Sequence, residues 1–242
     1  MLKVELHTHT SDDPIDPIPY STFDLIDRAA ELEYDALAIT LHDKQLDVAI
    51  YAQYAASRGI VLIPGIERTI DGRHVLLLNF SRASEAVGSF DDLRALKSRE
   101  QGLVIAPHPF FPAASALRGW TERHADVFDA VEYNAMFTRY VNFNILGKRW
   151  AARHGKPMVG NCDVHRLEML GTTYSLIDAA PDPAAICAAV AEGRLTLVTN
   201  PLSMRTAARV MADLCTSNVA APRNLPRAAS AVQRPQPNPS TY

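Results

Sequence analysis

The residues best able to do chemistry are the histidines, eight in a chain of 242 residues. His7, His9, His42, His74, His108 and His165 fall at or just after the ends of short apolar runs, mostly beside a carboxylate. The segments are Glu5-Leu6-His7-Thr8-His9 with Asp12-Asp13 following, Ile39-Thr40-Leu41-His42-Asp43, Gly65-Ile66-Glu67, Arg73-His74, Ala106-Pro107-His108-Pro109 and Gly160-Asn161-Cys162-Asp163-Val164-His165. Residues two apart on an extended chain point to one side, so His7 with His9, and Asp163 with His165, can each present two ligands to one locus. Imidazole and carboxylate without thiolate suit zinc, manganese or iron. Each element alone has an ordinary structural explanation: a strand-end histidine packs or caps, a strand-end glutamate is solvated, and Pro107 and Pro109 shape a loop. Several such coincidences at one face of a fold point instead to a metal cluster. His124 and His154 sit in helix-like surroundings away from strand ends and are read as structural.

Positioning these ligands requires elements whose ends meet. Apolar runs of strand length alternate with amphipathic runs of helix length from the first residue to about position 200, the pattern of successive β-α units. Strands are expected at 3–7, 36–40, 60–67, 103–106, 127–133 and 157–161, and helices after Ser21, from about Asp47 to Arg58, and over 90–101, 142–154 and 183–192. Ser21 with Asp24 makes a capping box, and Gly59 supplies a left-handed helix stop. Asp71-Gly72 predicts a hairpin that runs 74–80 back along the third strand and brings His74 to the end that carries Glu67. In parallel α/β sheets and barrels the carboxyl ends of the strands face one side, so ligands scattered through the sequence converge there.

A length of 242 residues, 48% hydrophobic, fits one large α/β domain, taken as 1–216. Residues 217–242, rich in Ala, Pro, Arg, Gln, Ser and Asn, are expected to be disordered. A formal net charge of −3 offers no bulk attraction for nucleic acid or anionic membranes. No run approaches a membrane span and no export signal is visible, so a soluble cytoplasmic protein is expected. Three widely spaced cysteines argue against a disulfide framework, and Cys162 is expected to pack away from Asp163.

From Glu5 to about Val198 these motifs, in this order, resemble the polymerase and histidinol phosphatase (PHP) domain family. The resemblance implies a distorted (β/α)7 barrel holding three divalent ions (manganese, iron or zinc). It implies that His7, His9, Glu67 and Asp163 hold one ion, and that Glu67 bridges to a second held by His74 and His108. The third would be held by His42, His165 and a first-loop aspartate, Asp13 ahead of Asp12. Two departures stand out: the loop Thr10-Ser-Asp-Asp-Pro-Ile-Asp16 is longer than the family's Ser-Asp-Gly, and Leu41 replaces a common aspartate, removing a contact that would orient His42. The expected activity is a metal-dependent phosphoesterase in which bridged ions lower the pKa of a water to near neutrality, with Glu67, Asp163 and Asp13 as catalytic groups. The leaving-group acid is left open between Asp13 and, where it holds no metal, His165, and Arg166, Asn134 and Arg139 are candidate substrate contacts. The expected substrate is a small phosphorylated metabolite or nucleotide, with no membrane and no obligate protein partner. Alternatives are a nuclease on short oligonucleotides, which needs a basic track with stacking aromatics, a non-catalytic metal-binding module, and a metal-dependent amidohydrolase, whose bridging strand lysine has no counterpart here.

Overall fold

The structure, a computed structural model, describes residues 1–210 and 212. The tail expected over 217–242 lies outside the described residues. In chain order the elements are β1 Leu2–Glu5, α1 Thr22–Glu31, β2 Ala36–Ile39, α2 Ala52–Ala56, β3 Val61–Ile70, β4 Arg73–Leu78, α3 Phe90–Lys97, β5 Leu103–Ala106, α4 Gly119–Arg123, β6 Ala130–Asn134, α5 Asn144–His154, β7 Met158–Asn161, β8 Thr173–Ile177, α6 Pro183–Ala191 and β9 Leu195–Thr199. Residues 204–210 add a further helix.

Local chemistry sets these boundaries. Ser21 accepts from the Asp24 amide while the Asp24 side chain accepts from the Ser21 amide, so the expected capping box starts α1. Gly59 stops the segment after α2 at φ 74°. The Asp71-Gly72 turn, with both residues at positive φ, folds β4 antiparallel onto β3, pairing Thr69 with His74 and Glu67 with Leu76. His74 therefore lies diagonal to Glu67 on the same face. The helix expected over 47–58 is interrupted: Val48–Tyr51 is a 3-10 turn and only Ala52–Ala56 is α-helical.

One nine-stranded sheet runs β7-β6-β5-β4-β3-β2-β1-β8-β9. Pairs β1-β2, β2-β3, β5-β6 and β6-β7 are parallel, while β4 and the β8-β9 pair run antiparallel to their neighbours. The expected distorted α/β barrel is thus present, and the sheet curls until β7 approaches β1 and β8. Val164, just past β7, bridges to Thr8, and the Gly160 amide donates to Ser175 Oγ at 2.8 Å. A Cβ on Gly160 would stand 2.5 Å from Leu197 Cδ1 and 2.9 Å from the Tyr174 carbonyl, so this closure needs glycine. Val4, Ala38, Ile63, Leu76, Ile105, Ala130 and Val159 fill the interior together with Ile186, Ala189 and Val190 of α6. The same cluster takes in Leu2, Val61 and Leu103 at the amino ends of β1, β3 and β5, so α6 plugs that end and leaves the carboxyl ends as the open mouth.

Candidate metal centre

Every strand from β1 to β7 brings a polar group to that mouth. Beyond β1 the chain presents His7 and His9, beyond β2 His42, and beyond β5 and β7 it presents His108, Asp163 and His165. Glu67 lies within β3 and His74 within β4. His108 and Asp163 adopt positive φ, 28° and 52°. Non-glycine residues rarely do so, and such backbone persists only where neighbours over-determine it. Here the neighbours are Glu132, which accepts the His108 amide at 2.7 Å, and Glu5, which accepts the Cys162 amide at 3.0 Å.

Glu67, 1% exposed, is the hub. Its Oε2 lies 3.3, 3.4 and 3.2 Å from Nε2 of His7, His9 and His42. Its Oε1 lies 2.8 Å from His74 Nδ1 and 3.3 Å from His108 Nε2. Asp163 Oδ1 is 3.3 Å from His7 Nε2 and 3.4 Å from His9 Nε2. His7 Nε2, His9 Nε2 and Asp163 Oδ1 are nevertheless buried without a hydrogen-bond partner. Such orphans are costly in a native interior, where polar groups are paired. Donors that lie close yet do not bond one another are aimed at a common point. With metal–ligand bonds of about 2.0–2.1 Å, a tetrahedral site has donor–donor edges of about 3.3–3.4 Å, the spacing found here. The donor set fits a divalent cation.

Behind these donors stands a layer of carboxylates that fixes the rings. Glu132, fully buried in β6, accepts from His7 Nδ1 at 2.7 Å and from Asn161 Nδ2 at 3.1 Å on one oxygen, and from the His108 amide and Asn134 Nδ2 on the other. Asp13 Oδ2 accepts from His9 Nδ1 at 2.9 Å, His42 Nδ1 at 3.0 Å and the His42 amide at 2.9 Å. Asp13 Oδ1 takes the amides of Ile15 and Asp16 at 2.8 and 2.9 Å. A proton held on Nδ1 leaves the Nε2 lone pair facing the centre, the usual arrangement behind metal-bound imidazole.

In the ion-free protein this is a cluster of opposed charges. Burial opposes charge on His7, but Asp163, Glu132 and Glu67 hold its imidazole well above the ordinary histidine value. His9 is held well above it too, burial notwithstanding, by Asp13, Asp163 and Glu67. Burial likewise opposes ionisation of Glu67 and Asp163, yet His74, His7 and His42 hold the first, and His7 and His165 the second, well below the carboxylate range. For His165, burial and His9 act downward, but Asp163 and Asp16 carry it up to about 9. Burial lifts Glu5 to about 8 against the amides of Cys162 and His7.

The structure therefore brings together His7, His9, His42, Glu67, His74, His108, Asp163 and His165. Asp13 stands behind the histidines rather than among the inward-facing donors. Asp12 Oδ2 is turned to Thr22 Oγ1 at 3.1 Å. The loop carboxylate that faces the cavity is Asp16, whose Oδ2 lies 3.0 Å from His165 Nε2 and 4.0 Å from His42 Nδ1. Leu41 is fully buried in the core, and Asp13 supplies the orientation of His42 that an aspartate at position 41 would have given. Asn134 reaches the cavity, but its amide is engaged with Glu132 and the Met136 amide. Arg166 and Arg139 are not among the residues lining the cavity. His124 stacks on Phe90 and Trp120, and His154 on Trp150, both remote from the centre. Cys162 is buried against the Thr173 carbonyl. Asp16, Glu132 and Glu5 were not anticipated as site residues. The legible signal for the two glutamates was a charge set in an otherwise buried apolar strand.

Comparison with known proteins agrees with the motifs. The PHP-associated family model matches residues 142–195. A two-domain protein from Bacteroides vulgatus containing a predicted PHP-like metal-dependent phosphoesterase superposes with TM-score 0.65 at 16% identity, over 88% of this chain and 70% of that one. PsfC from Pseudomonas syringae gives 0.59 at 14% identity, over 90% and 98% of the two chains. An amidohydrolase from Chromobacterium violaceum gives 0.57 at 17%, over 80% and 97%. No curated protein matches in sequence. The family model and the PHP-like barrel together support the PHP domain family. Among the described residues no helix is long and apolar enough to cross a membrane.

Proposed function

We propose that this PHP-type barrel is a metal-dependent phosphoesterase acting at a multinuclear centre. The observation that supports it best is the convergence of three buried, unsatisfied donors, His7 Nε2, His9 Nε2 and Asp163 Oδ1, beside Glu67. His7, His9, Glu67 and Asp163 would hold one cation, and the other Glu67 oxygen with His74 and His108 a second. His165 and Asp16 would hold a third, Asp16 taking the place expected for Asp13, while His42 Nε2 would serve an ion shared with Glu67 and His74. Divalent cations bound there (manganese, iron or zinc) supply water activated near neutral pH and positive charge against the phosphoryl oxygens.

The chain's own contribution is orientation and exclusion. Asp13 and Glu132 keep protons on Nδ1 of His9, His42 and His7, so the inward nitrogens stay unprotonated when ions are bound. Fixed donors in a partly dry pocket cost no reorganisation during reaction.

The test is hydrolysis of 4-nitrophenyl phosphate by the full chain loaded with manganese. Glu67→Gln is expected to lower kcat by at least about 100-fold while circular dichroism stays that of the parent. Parent and variant of equal activity would remove the proposal.

A further inference from the structure

Above the donor cluster lies a cavity of about 490 Å³. Its floor is polar, formed by Glu67, Asp163, Asp16 and the histidines, but its walls are mainly apolar. Their apolar part includes Phe111, Met136, Phe137, Val141, Phe143 and Met204, with Ala207 and Ala208 from the helix over 204–210. That helix is fastened by the Leu202 amide on the Phe137 carbonyl at 2.9 Å, by Arg209 on Glu168 at 2.8 Å and by buried Val210. Phe111 sits 6.3 Å from the His108 ring and 5.5 Å from Phe143, so an aromatic path leads outward from the donors. The apolar surface continues past the rim as exposed Val141, Phe143 and Met204.

Among the described residues lining the cavity none is lysine or arginine. The polar groups in the wall are few: Ser115, Thr138, whose Oγ1 already accepts the amides of Tyr140 and Val141, and Asn134, whose side-chain amide is bound to Glu132 and to the Met136 amide. Among the described residues a second phosphate on the substrate would meet a mainly apolar wall without a lysine or arginine, and most sugar hydroxyls would lose water against apolar side chains.

Resting on the phosphoesterase reading, we infer that the substrate is a phosphate monoester of an apolar, aromatic or long aliphatic alcohol, bearing one phosphate only. Water oxygen bonds to phosphorus, the ester P–O bond breaks, and a proton from that water ends on the departing oxygen, giving inorganic phosphate and the free alcohol or phenol. Burying two to three carbon equivalents at about fourfold each predicts a kcat/KM for 1-naphthyl phosphate about 30 times that for glycerol 2-phosphate.

The experiment uses the full chain with manganese and a panel of 1-naphthyl phosphate, glycerol 2-phosphate, AMP, adenosine 3′,5′-bisphosphate and a short oligonucleotide. Alongside, calorimetry compares binding of the non-hydrolysable 1-naphthylphosphonate and methylphosphonate. The expected result is the 30-fold preference, a similar ratio in Kd between the phosphonates, and a fall of about fivefold in both ratios for Phe143→Ala. Equal turnover across the panel, or preference for the bisphosphate or oligonucleotide, overturns the inference and leaves the phosphoesterase reading standing. If no ester is hydrolysed although ions bind, the phosphoesterase reading fails, and the phosphonate ratio alone decides the pocket: equal affinities overturn it.

Discussion

Replacing Asp13 with asparagine separates two roles that a first-loop aspartate can play. The Asp13 carboxylate receives five donors: Ile15 and Asp16 amides on one oxygen, and two imidazole Nδ1 atoms and the His42 amide on the other. If the asparagine oxygen keeps the two loop amides, its NH2 group faces three groups that also carry hydrogen. His9 and His42 must then move their protons to Nε2, the atoms aimed at the cations, or turn away. Losing such an orienting partner costs roughly 10–100-fold in metal affinity per ligand. Two imidazoles share this one, so the combined loss is expected at about 10²–10⁴-fold for ions that use them. The stranded His42 amide adds about 1–3 kcal/mol of lost stability, a fall in Tm of roughly 3–10 °C for a domain of this size. Manganese titration by calorimetry with elemental analysis of the saturated protein reads both. In the orienting role the number of ions at saturation is unchanged and their affinity drops, whereas Asp16→Asn lowers the number by one. One ion fewer in Asp13→Asn, with the others binding as tightly as before, would refute the reasoning and restore Asp13 as a direct ligand.

Glu132→Gln leaves one acceptor oxygen where four donors now converge, so manganese affinity is expected to fall 10–100-fold with an unchanged ion count; calorimetry showing parental affinity would contradict the orienting role. Because His7, His9 and His165 are raised in the ion-free protein, cations must displace protons, so apparent affinity rises with pH and protons are released at pH 7. The same raised histidines stabilise the ion-free fold fully below about pH 6.5, and that stabilisation is lost as pH climbs through the folded value, about 9 for His165. Binding heats that do not vary with buffer ionisation enthalpy would exclude the proton release, and an ion-free Tm that does not fall between pH 6.5 and 9 would exclude the linkage. Gly160→Ala forces β7 away from Tyr174 and Leu197, and overpacking of this kind costs about 1–3 kcal/mol; an unchanged Tm would mean the barrel closes elsewhere.

The convergence of candidate ligands set by strand periodicity was legible. His7 with His9, Glu67 with His74 across an Asp-Gly turn, and the ends of β2, β5 and β7 all follow from alternation and from one turn whose geometry two residues fix. The first loop was not legible, because which of Asp12, Asp13 and Asp16 faces the cavity depends on how 10–20 folds back, with the Ser11 amide on the Tyr20 carbonyl and the Asp13 amide on that of Thr10. Nothing periodic encodes that path. The β8-β9 pair was also unforeseen, since its strands bury only alternate or partial faces and give weak apolar signals. Glu132 was visible as a residue but not as a function, because its role exists only once His7, 125 positions away, folds against it.

That last case states how this centre is built. A carboxylate sealed inside a barrel is expensive unless fully hydrogen-bonded, and Glu132 and Asp13 meet the condition only by binding the ligand-bearing segments themselves. Removing either carboxylate strands buried donors as well as loosening rings, so ligand geometry and local stability are coupled through the same bonds. The inward donors face opposed charge but lack hydrogen bonds within the chain: His7 Nε2, His9 Nε2 and Asp163 Oδ1 are left without one while every group directly behind the two rings is paired. A fold that satisfies its outer polar layer and leaves its inner one open is organised around charge that must come from outside, which ties stability to divalent ions. Manganese should therefore raise Tm, by an amount that grows with free ion concentration as RT ln(1 + [L]/Kd), and it should do so in Glu132→Gln only at about 10–100-fold higher concentration.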